Sequence, residues 1–383
     1  MSVEHIAMLV VIAAAVTFAL TPVVRAASLH FGLVDQPGGR KVHTGEISRL
    51  GGIAMFAGFC TALAVQYAGE IHFGWRGLVA IGGAQVGGVI AGLGIIFAVG
   101  LLDDIVTLEP GPKLIGQIVA ALVVIGSGVR IDFIGHPFGS GLIALGLLGI
   151  PLTLVYIVGF ANVINLIDGL DGLAAGVTAI AATTFLVLAM QSNQPVAAIF
   201  AAALIGACVG FLRYNFNPAS IFMGDSGAMF LGFALASISL LGVMKSVAAI
   251  ALAVPLLIIG VPIFDTASAI IRRIRHKRPI QEADRGHIHH RLLGRGFDQR
   301  QTVLIIYVWS AALAVGGYAV RFAPISIKLV AFVVLAGLSA FMASWLGLFE
   351  AAHHHVEIVE EASDEDGDEV PNVRASRLPN GDV

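Results

Sequence analysis

Two acids side by side, Asp103 and Asp104 in "GLLDDI", close an apolar run. Adjacent carboxylates at such an edge repel each other unless a cation or a base shares them. A hard cation such as Mg²⁺ suits the position, because it takes oxygen ligands and commonly uses one or two carboxylates together with substrate phosphates. A second cluster, "NVINLIDGLDGLAAG", places Asn162, Asn165, Asp168 and Asp171 three residues apart. Steps of three advance about 300° each on an α-helix, so the four drift around half the circumference and form no single stripe. A broken or 3₁₀-like entry, which the glycines permit, would gather them. Irregular polar backbone at membrane depth is tolerated only where it lines a cavity.

Further groups lie along the chain. Asp225 sits between Gly224 and Ser226 in "FMGDSGAMFLG", at the N-terminal end of an apolar run. Phe222 can stack on a base, and Asn215 offers amide contacts. Arg40, Lys41, His43 and Arg49 stand beside paired glycines in "DQPGGRKVHTGEISRLGG", a combination that suits phosphate. Asp265 in "VPIFDT" faces inward about two turns from a basic cluster. After it, "ADRGHIHHRLLGRG" holds His287, His289 and His290 among Arg285, Arg291 and Arg295. Three histidines in four residues suggest zinc, yet the guanidinium groups oppose a cation and no cysteine is near. Arg and His together fit an anionic diphosphate better.

The elements that carry these residues are membrane spans. Of 383 residues, 57% are hydrophobic and 12% charged, against about 25% charged in a soluble domain, and the mean hydropathy is +0.90. The class is an all-α polytopic integral membrane protein. Apolar runs at 4–25, 50–68, 78–101, 113–129, 141–160, 170–190, 196–212, 226–243, 247–270, 303–320 and 327–348 predict eleven transmembrane helices. The first lacks a preceding basic region and reads as a retained span. Cys60 and Cys208 both fall in apolar stretches and read as small buried hydrophobes. Residues 1–348 form the membrane domain, and 349–383 an acidic, disordered tail.

Seventeen Lys and Arg residues fall on one side and five on the other, which makes the first side cytoplasmic, with the N-terminus outside and the tail inside. Outside the tail and Glu350, twelve of fifteen carboxylates share that side. A transporter would more often need polar groups near the bilayer midplane. One-sided chemistry reads instead as an enzyme whose catalytic cleft is built from cytoplasmic loops and whose substrates are cytosolic.

With "DQPGGRKVH", "LLDDI", "NVINLIDGLDGLAAG", "FMGDSGAMFLG", "PIFDT" and "HIHHRLL" in order, residues 1–348 resemble the polyprenyl-phosphate N-acetylhexosamine-1-phosphate transferases. The branch most similar moves N-acetylglucosamine 1-phosphate from UDP-N-acetylglucosamine to a polyprenyl phosphate. The resemblance implies Mg²⁺, with Mn²⁺ as a substitute, held by Asp225 with Asp104. It implies catalytic roles for Asp103, Asp104, Asp168 and Asp171. Asn162, Asn165, Asn215, Phe222, Arg285, His287, His289 and His290 would bind the nucleotide-sugar, and Arg40, Lys41, His43 and Arg49 the lipid phosphate. It further implies a homodimer in a bacterial cytoplasmic membrane, with no nucleic-acid partner. Two departures from the family pattern stand out: Ser48 in place of a proline, and Ala228-Met229 in place of Ser-Leu.

Overall fold

A computed structural model describes residues 2–35, 47–75, 77–135, 141–242, 253–275, 287–322 and 325–345. The chain divides into two units, Met1–Glu350 and Ala351–Val383, and the acidic tail lies outside the described residues. The first unit is built from helices: α1 (Val3–His30), α2 (Gly51–Phe73), α3 (Val79–Val106), α4 (Pro110–Gly126) and α5 (Gly149–Ile167). There follow α6 (Leu173–Gln191), α7 (Pro195–Asn215), α8 (Gly224–Gly242), α9 (Ala253–Ile258) and α10 (Gly260–Arg275). The last three are α11 (Ile288–Gly294), α12 (Gln299–Phe322) and α13 (Ile325–Trp345). Two short antiparallel pairs, β1 (Val34–Asp35) with β2 (Ile47–Ser48) and β3 (Phe133–Gly135) with β4 (Leu142–Ala144), trim the ends.

Among the described residues, eight helices, α1, α2, α3, α5, α6, α7, α8 and α12, are long and apolar enough to cross a membrane. The chain is a multi-pass membrane protein. Against the expectation of eleven spans, α4 has only 17 residues, and the stretch expected at 247–270 is divided between α9 and α10. Pro262 explains the division: without an N–H it leaves the Ile258 carbonyl without its helical donor.

Lipid tails are as apolar as leucine, so close packing rather than removal from water holds such helices together. Helix α8 is the centre of the bundle. Every residue from Ser226 to Gly242 is buried, with α2, α3, α5, α6 and α7 around it. Two glycines let neighbours close on its first turn. A Cβ at Gly52 of α2 would lie 2.3 Å from the Gly227 nitrogen, and one at Gly100 of α3 would lie 2.5 Å from Ser226 Cα. The aromatic rings of Phe59 and Phe230 meet edge-on at 5.2 Å deeper in the same seam. Polar groups inside the bundle find each other, as Tyr156 and Ser239 do at 2.7 Å.

Hydrogen bonds tie the C-terminal ends of α3, α5 and α7 to the N-terminal ends of α4, α6 and α8. The acids of the sequence clusters therefore collect at one end of the bundle.

Candidate active site

Helix α3 ends where Thr107 turns left-handed, φ 53°, and Pro110 opens α4 three residues later. The tight reversal returns Lys113 over Asp103, with Nζ 2.8 Å from Asp103 Oδ2. The same ammonium lies 3.1 Å from Asp225 Oδ2, on the first turn of α8. Each carboxylate has its other oxygen committed to the protein. Asp103 Oδ1 accepts the Leu108 N–H at 2.6 Å, and Asp225 Oδ1 accepts the Asn165 amide. Asp104 behaves differently: its two oxygens accept the backbone N–H groups of Asp225 at 2.7 Å and Ser226 at 3.0 Å. It sits as an anion on the N-terminus of α8, where the helix dipole favours it.

The second cluster changes conformation partway. Helix α5 stays α-helical through Asn162 and Asn165 to Ile167, and the break begins at Asp168. The four expected residues then diverge to different partners. Asn162 pairs with the Gln117 amide at 2.7 and 3.2 Å, and Asn165 reaches Asp225. Asp171 Oδ2 accepts the Asn217 amide at 3.0 Å and the Ala219 N–H at 2.9 Å. Asp168 lies among acids: burial, then the charges of Asp225, Asp104 and Asp171, push its carboxyl up to about 8. Asn215 is buried and structural in its contacts, accepting the Gly172 N–H and donating to the Ile221 carbonyl, each at 3.0 Å.

A third group flanks this turn. Asp265 of α10, 2% exposed, accepts the Ile288 N–H at 2.8 Å and contacts His287 Nδ1 at 3.0 Å. It thereby fixes the start of α11. The rings of His287 and His289 lie parallel, 5.8 Å apart, and the His289 ring lies against Gly169, where a Cβ would be 2.8 Å from Nε2. Burial, then His290, hold His289 down to about 3, with Asp265 opposing. It is a neutral hydrogen-bonding group at physiological pH. Ile167, Leu173, Pro262, Asp265, Ile288 and His289 are among the residues enclosing a cavity of about 10 Å³ here, the size of a single water.

Asp103, Asp104, Asn165, Asp168 and Asp225 are thus brought together. Asn162 and Asn215 spend their amides within the protein. Phe222 is half-buried, its backbone N–H donating to the Ser48 carbonyl at 2.8 Å. Ser48, at the departure from the family pattern, accepts the Leu50 N–H at its hydroxyl, 3.3 Å. Met229, at the second departure, is fully buried and receives the Gln117 amide at its sulfur, 3.2 Å. Arg49 lies behind Gly224, whose added Cβ would come within 2.1 Å of the Arg49 carbonyl. Arg40, Lys41, His43 and Arg285 lie outside the described residues.

Lys113, Gln117 and Asn217 were not among the expected site residues. Lys113 had a signal: a cation in the first turns of a helix opposes the dipole and calls for a nearby acid.

Among the described residues no three His, Cys, Asp or Glu side chains converge as a metal cage. What converges is a pair of carboxylate oxygens, Asp103 Oδ2 and Asp225 Oδ2, around one ammonium. Mg²⁺ keeps several waters and uses one or two carboxylates plus phosphates, so this donor set fits it. Asp104, the expected partner of Asp225 at such a cation, has its two oxygens on the backbone N–H groups of Asp225 and Ser226, while Asp103 Oδ2 and Asp225 Oδ2 face the same ammonium.

This multi-helix membrane bundle belongs to glycosyl transferase family 4. Residues 86–243 match the family's profile, spanning α3 through α8. The Bacillus subtilis protein named "Probable undecaprenyl-phosphate N-acetylglucosaminyl 1-phosphate transferase" is 38% identical over 329 residues, 86% of this chain and 88% of that protein. A decaprenyl-phosphate N-acetylglucosaminephosphotransferase of Mycolicibacterium smegmatis is 38% identical over 336 residues, 82% of this chain and 81% of its own length. A phospho-N-acetylmuramoyl-pentapeptide-transferase of Desulforamulus reducens is 35% identical over 285 residues, 70% of this chain and 80% of that one.

Proposed function

We propose that this protein transfers N-acetylglucosamine 1-phosphate from UDP-N-acetylglucosamine to a polyprenyl phosphate in a bacterial cytoplasmic membrane, releasing UMP on the cytoplasmic side. An oxygen of the lipid phosphate attacks the β-phosphorus of the nucleotide-sugar. The new O–P bond forms as the bond from the β-phosphorus to the oxygen bridging it to the α-phosphorus breaks, and that oxygen leaves with UMP. Such transfers are governed by positioning and electrostatics. A phosphate monoester has its second pKa near ~6 and is largely dianionic at neutral pH, so the nucleophile needs orientation more than a strong base.

Asp103 and Asp225 would hold Mg²⁺, which supplies charge neutralisation to the diphosphate and to the departing UMP. The rest falls to the chain. Asp104 and Asn165 orient Asp225. Asp168 carries its proton at neutral pH and so adds no full charge to the cluster facing an anionic donor. Asp265 fixes α11 and its histidines beside the turn, and His289 offers neutral polar contacts to the donor.

The observation that carries this reading is the convergence of Asp103 and Asp225, from two helices, on one cation position at 2.8 and 3.1 Å. Names of relatives at 38% identity over most of the chain support the sugar. The test uses purified protein in detergent with Mg²⁺, UDP-N-acetylglucosamine and polyprenyl phosphate, and reads UMP. Release that requires the lipid is expected. Silence with folded protein would refute the enzyme reading, and release only from UDP-N-acetylmuramoyl-pentapeptide would move the chain to the branch of the Desulforamulus relative.

A further inference from the structure

Lys113 makes contacts that a cation would otherwise make. Its ammonium touches the Oδ2 atom of Asp103 and the Oδ2 atom of Asp225, the oxygen that each carboxylate has left after its bond to Leu108 N–H or to Asn165. The two carboxylates are held from behind and presented forward to the same point. We infer that Lys113 is the site's own resident cation, an internal counter-ion that a divalent metal must displace in order to bind between Asp103 and Asp225. The inference rests on the transferase reading for the metal and goes beyond it in assigning Lys113 the role of competitor.

Three physical arguments carry it. First, the space cannot be shared. Mg²⁺ binds oxygen at about 2.0–2.1 Å, so a metal between the two Oδ2 atoms occupies the approach the ammonium now uses. Second, the lysine has a way out: its side chain is partly exposed, 19% against 6% for Asp103, and hangs on a flexible four-carbon stem. Third, the surroundings need a cation at all times. Asp104, Asp171 and Asp225 all bear on Asp168, and Asp103 and Asp225, facing one point, repel each other when no cation stands between them. Lys113 supplies one positive charge until a metal supplies two.

Removing the ammonium must therefore strengthen metal binding, whereas removing a merely structural ion pair would loosen the site and weaken it. The experiment titrates Mn²⁺ into the full-length protein in detergent, without nucleotide, and counts free Mn²⁺ by electron paramagnetic resonance. Lys113→Met is expected to bind Mn²⁺ about tenfold tighter than wild type, the direction set by deleting a like charge a few ångströms away. Lys113→Arg, which keeps the charge, is expected to bind as weakly as wild type.

Equal or weaker binding by folded Lys113→Met overturns the inference and leaves the transferase reading standing if lipid-dependent UMP release persists in wild type. Failure of wild type and both variants to bind Mn²⁺ at millimolar concentration, with or without UDP-N-acetylglucosamine, overturns the metal reading and the inference with it. Should Lys113→Met not fold, wild-type protein gives the answer through amine acylation read by mass spectrometry. Mn²⁺ is expected to raise labelling of Lys113, and unchanged labelling at saturating Mn²⁺ overturns the displacement.

Discussion

Asp104 at the end of α3 caps Asp225 at the start of α8: one carboxylate oxygen accepts the Asp225 N–H at 2.7 Å, and the other accepts the Ser226 N–H at 3.0 Å. Two adjacent acids thus have separate tasks. Asp103 faces the cation position, and Asp104 holds the helix that delivers the second carboxylate to it.

Replacing Asp104 should therefore injure placement before chemistry. Hydrogen bonds to a charged acceptor are worth about 1.5–3 kcal/mol each, and Asp104→Ala removes two while leaving the first N–H groups of α8 unmet. Its thermal midpoint is expected to fall by several degrees, with weaker Mn²⁺ binding. Asp104→Asn retains one acceptor and should fall by less. An Asp104→Ala protein that melts like wild type would refute the clamp.

Gly224 is the hinge of the same contact. Its φ is +70°, and a Cβ there would lie 2.1 Å from the Arg49 carbonyl and 2.5 Å from Asp104 Oδ1. The left-handed conformation alone costs an L-residue about 1–2 kcal/mol. Gly224→Ala must also move Asp104 or the backbone, so UMP release is expected to drop by about tenfold or more. Gly94→Ala, where nothing lies within 4 Å of the added methyl, serves as the control and should retain activity.

The pH dependence of stability has a defined sign at Asp168. Its folded carboxyl titrates at about 8 rather than at the ordinary carboxylate value of 3.8, so between those values the native state binds more protons than the unfolded chain. Stability of the metal-free protein therefore falls as pH rises across that window. Melting in EDTA from pH 5 to pH 8 should show a decline that Asp168→Asn flattens, leaving the variant the more stable at pH 8. Parallel curves for the two proteins would show that Asp168 is not the group responsible.

Much of this site was legible in residue type. "LLDDI" and "FMGDSG" announced acids at the ends of apolar runs, and those acids do meet. What spacing could not reveal was partnership. Asn162 was read for its amide alone, and the pairing of α4 with α5 puts Gln117 opposite it, so that the two amides hydrogen-bond each other. Lys113 counted in the sequence as one more positive charge near a membrane edge; only the left-handed turn at Thr107 and the start of α4 at Pro110 fold it back over Asp103. The division of an apolar run is hidden for a related reason. A hydropathy run does not register that Pro262 divides one stretch into two short helices.

The contact between Gly169 and His289 gives the sharpest test of how α11 serves the site. An alanine methyl at 169 would sit 2.8 Å from Nε2 and 2.9 Å from Cε1 of a rigid imidazole. The ring has little room to retreat, since it lies parallel to His287 and the start of α11 is tied to Asp265. Gly169→Ala should push α11 away from the turn. If the histidines serve the nucleotide-sugar, KM for UDP-N-acetylglucosamine should rise by about fivefold, with KM for the polyprenyl phosphate nearly unchanged. His289→Ala removes the obstacle along with the ring, so Gly169→Ala placed on that background should add little further loss. Contacting residues show such non-additivity, whereas independent sites add. Fully additive losses in the double variant would mean that Gly169 acts through the turn alone, and that α11 has no part in holding the donor.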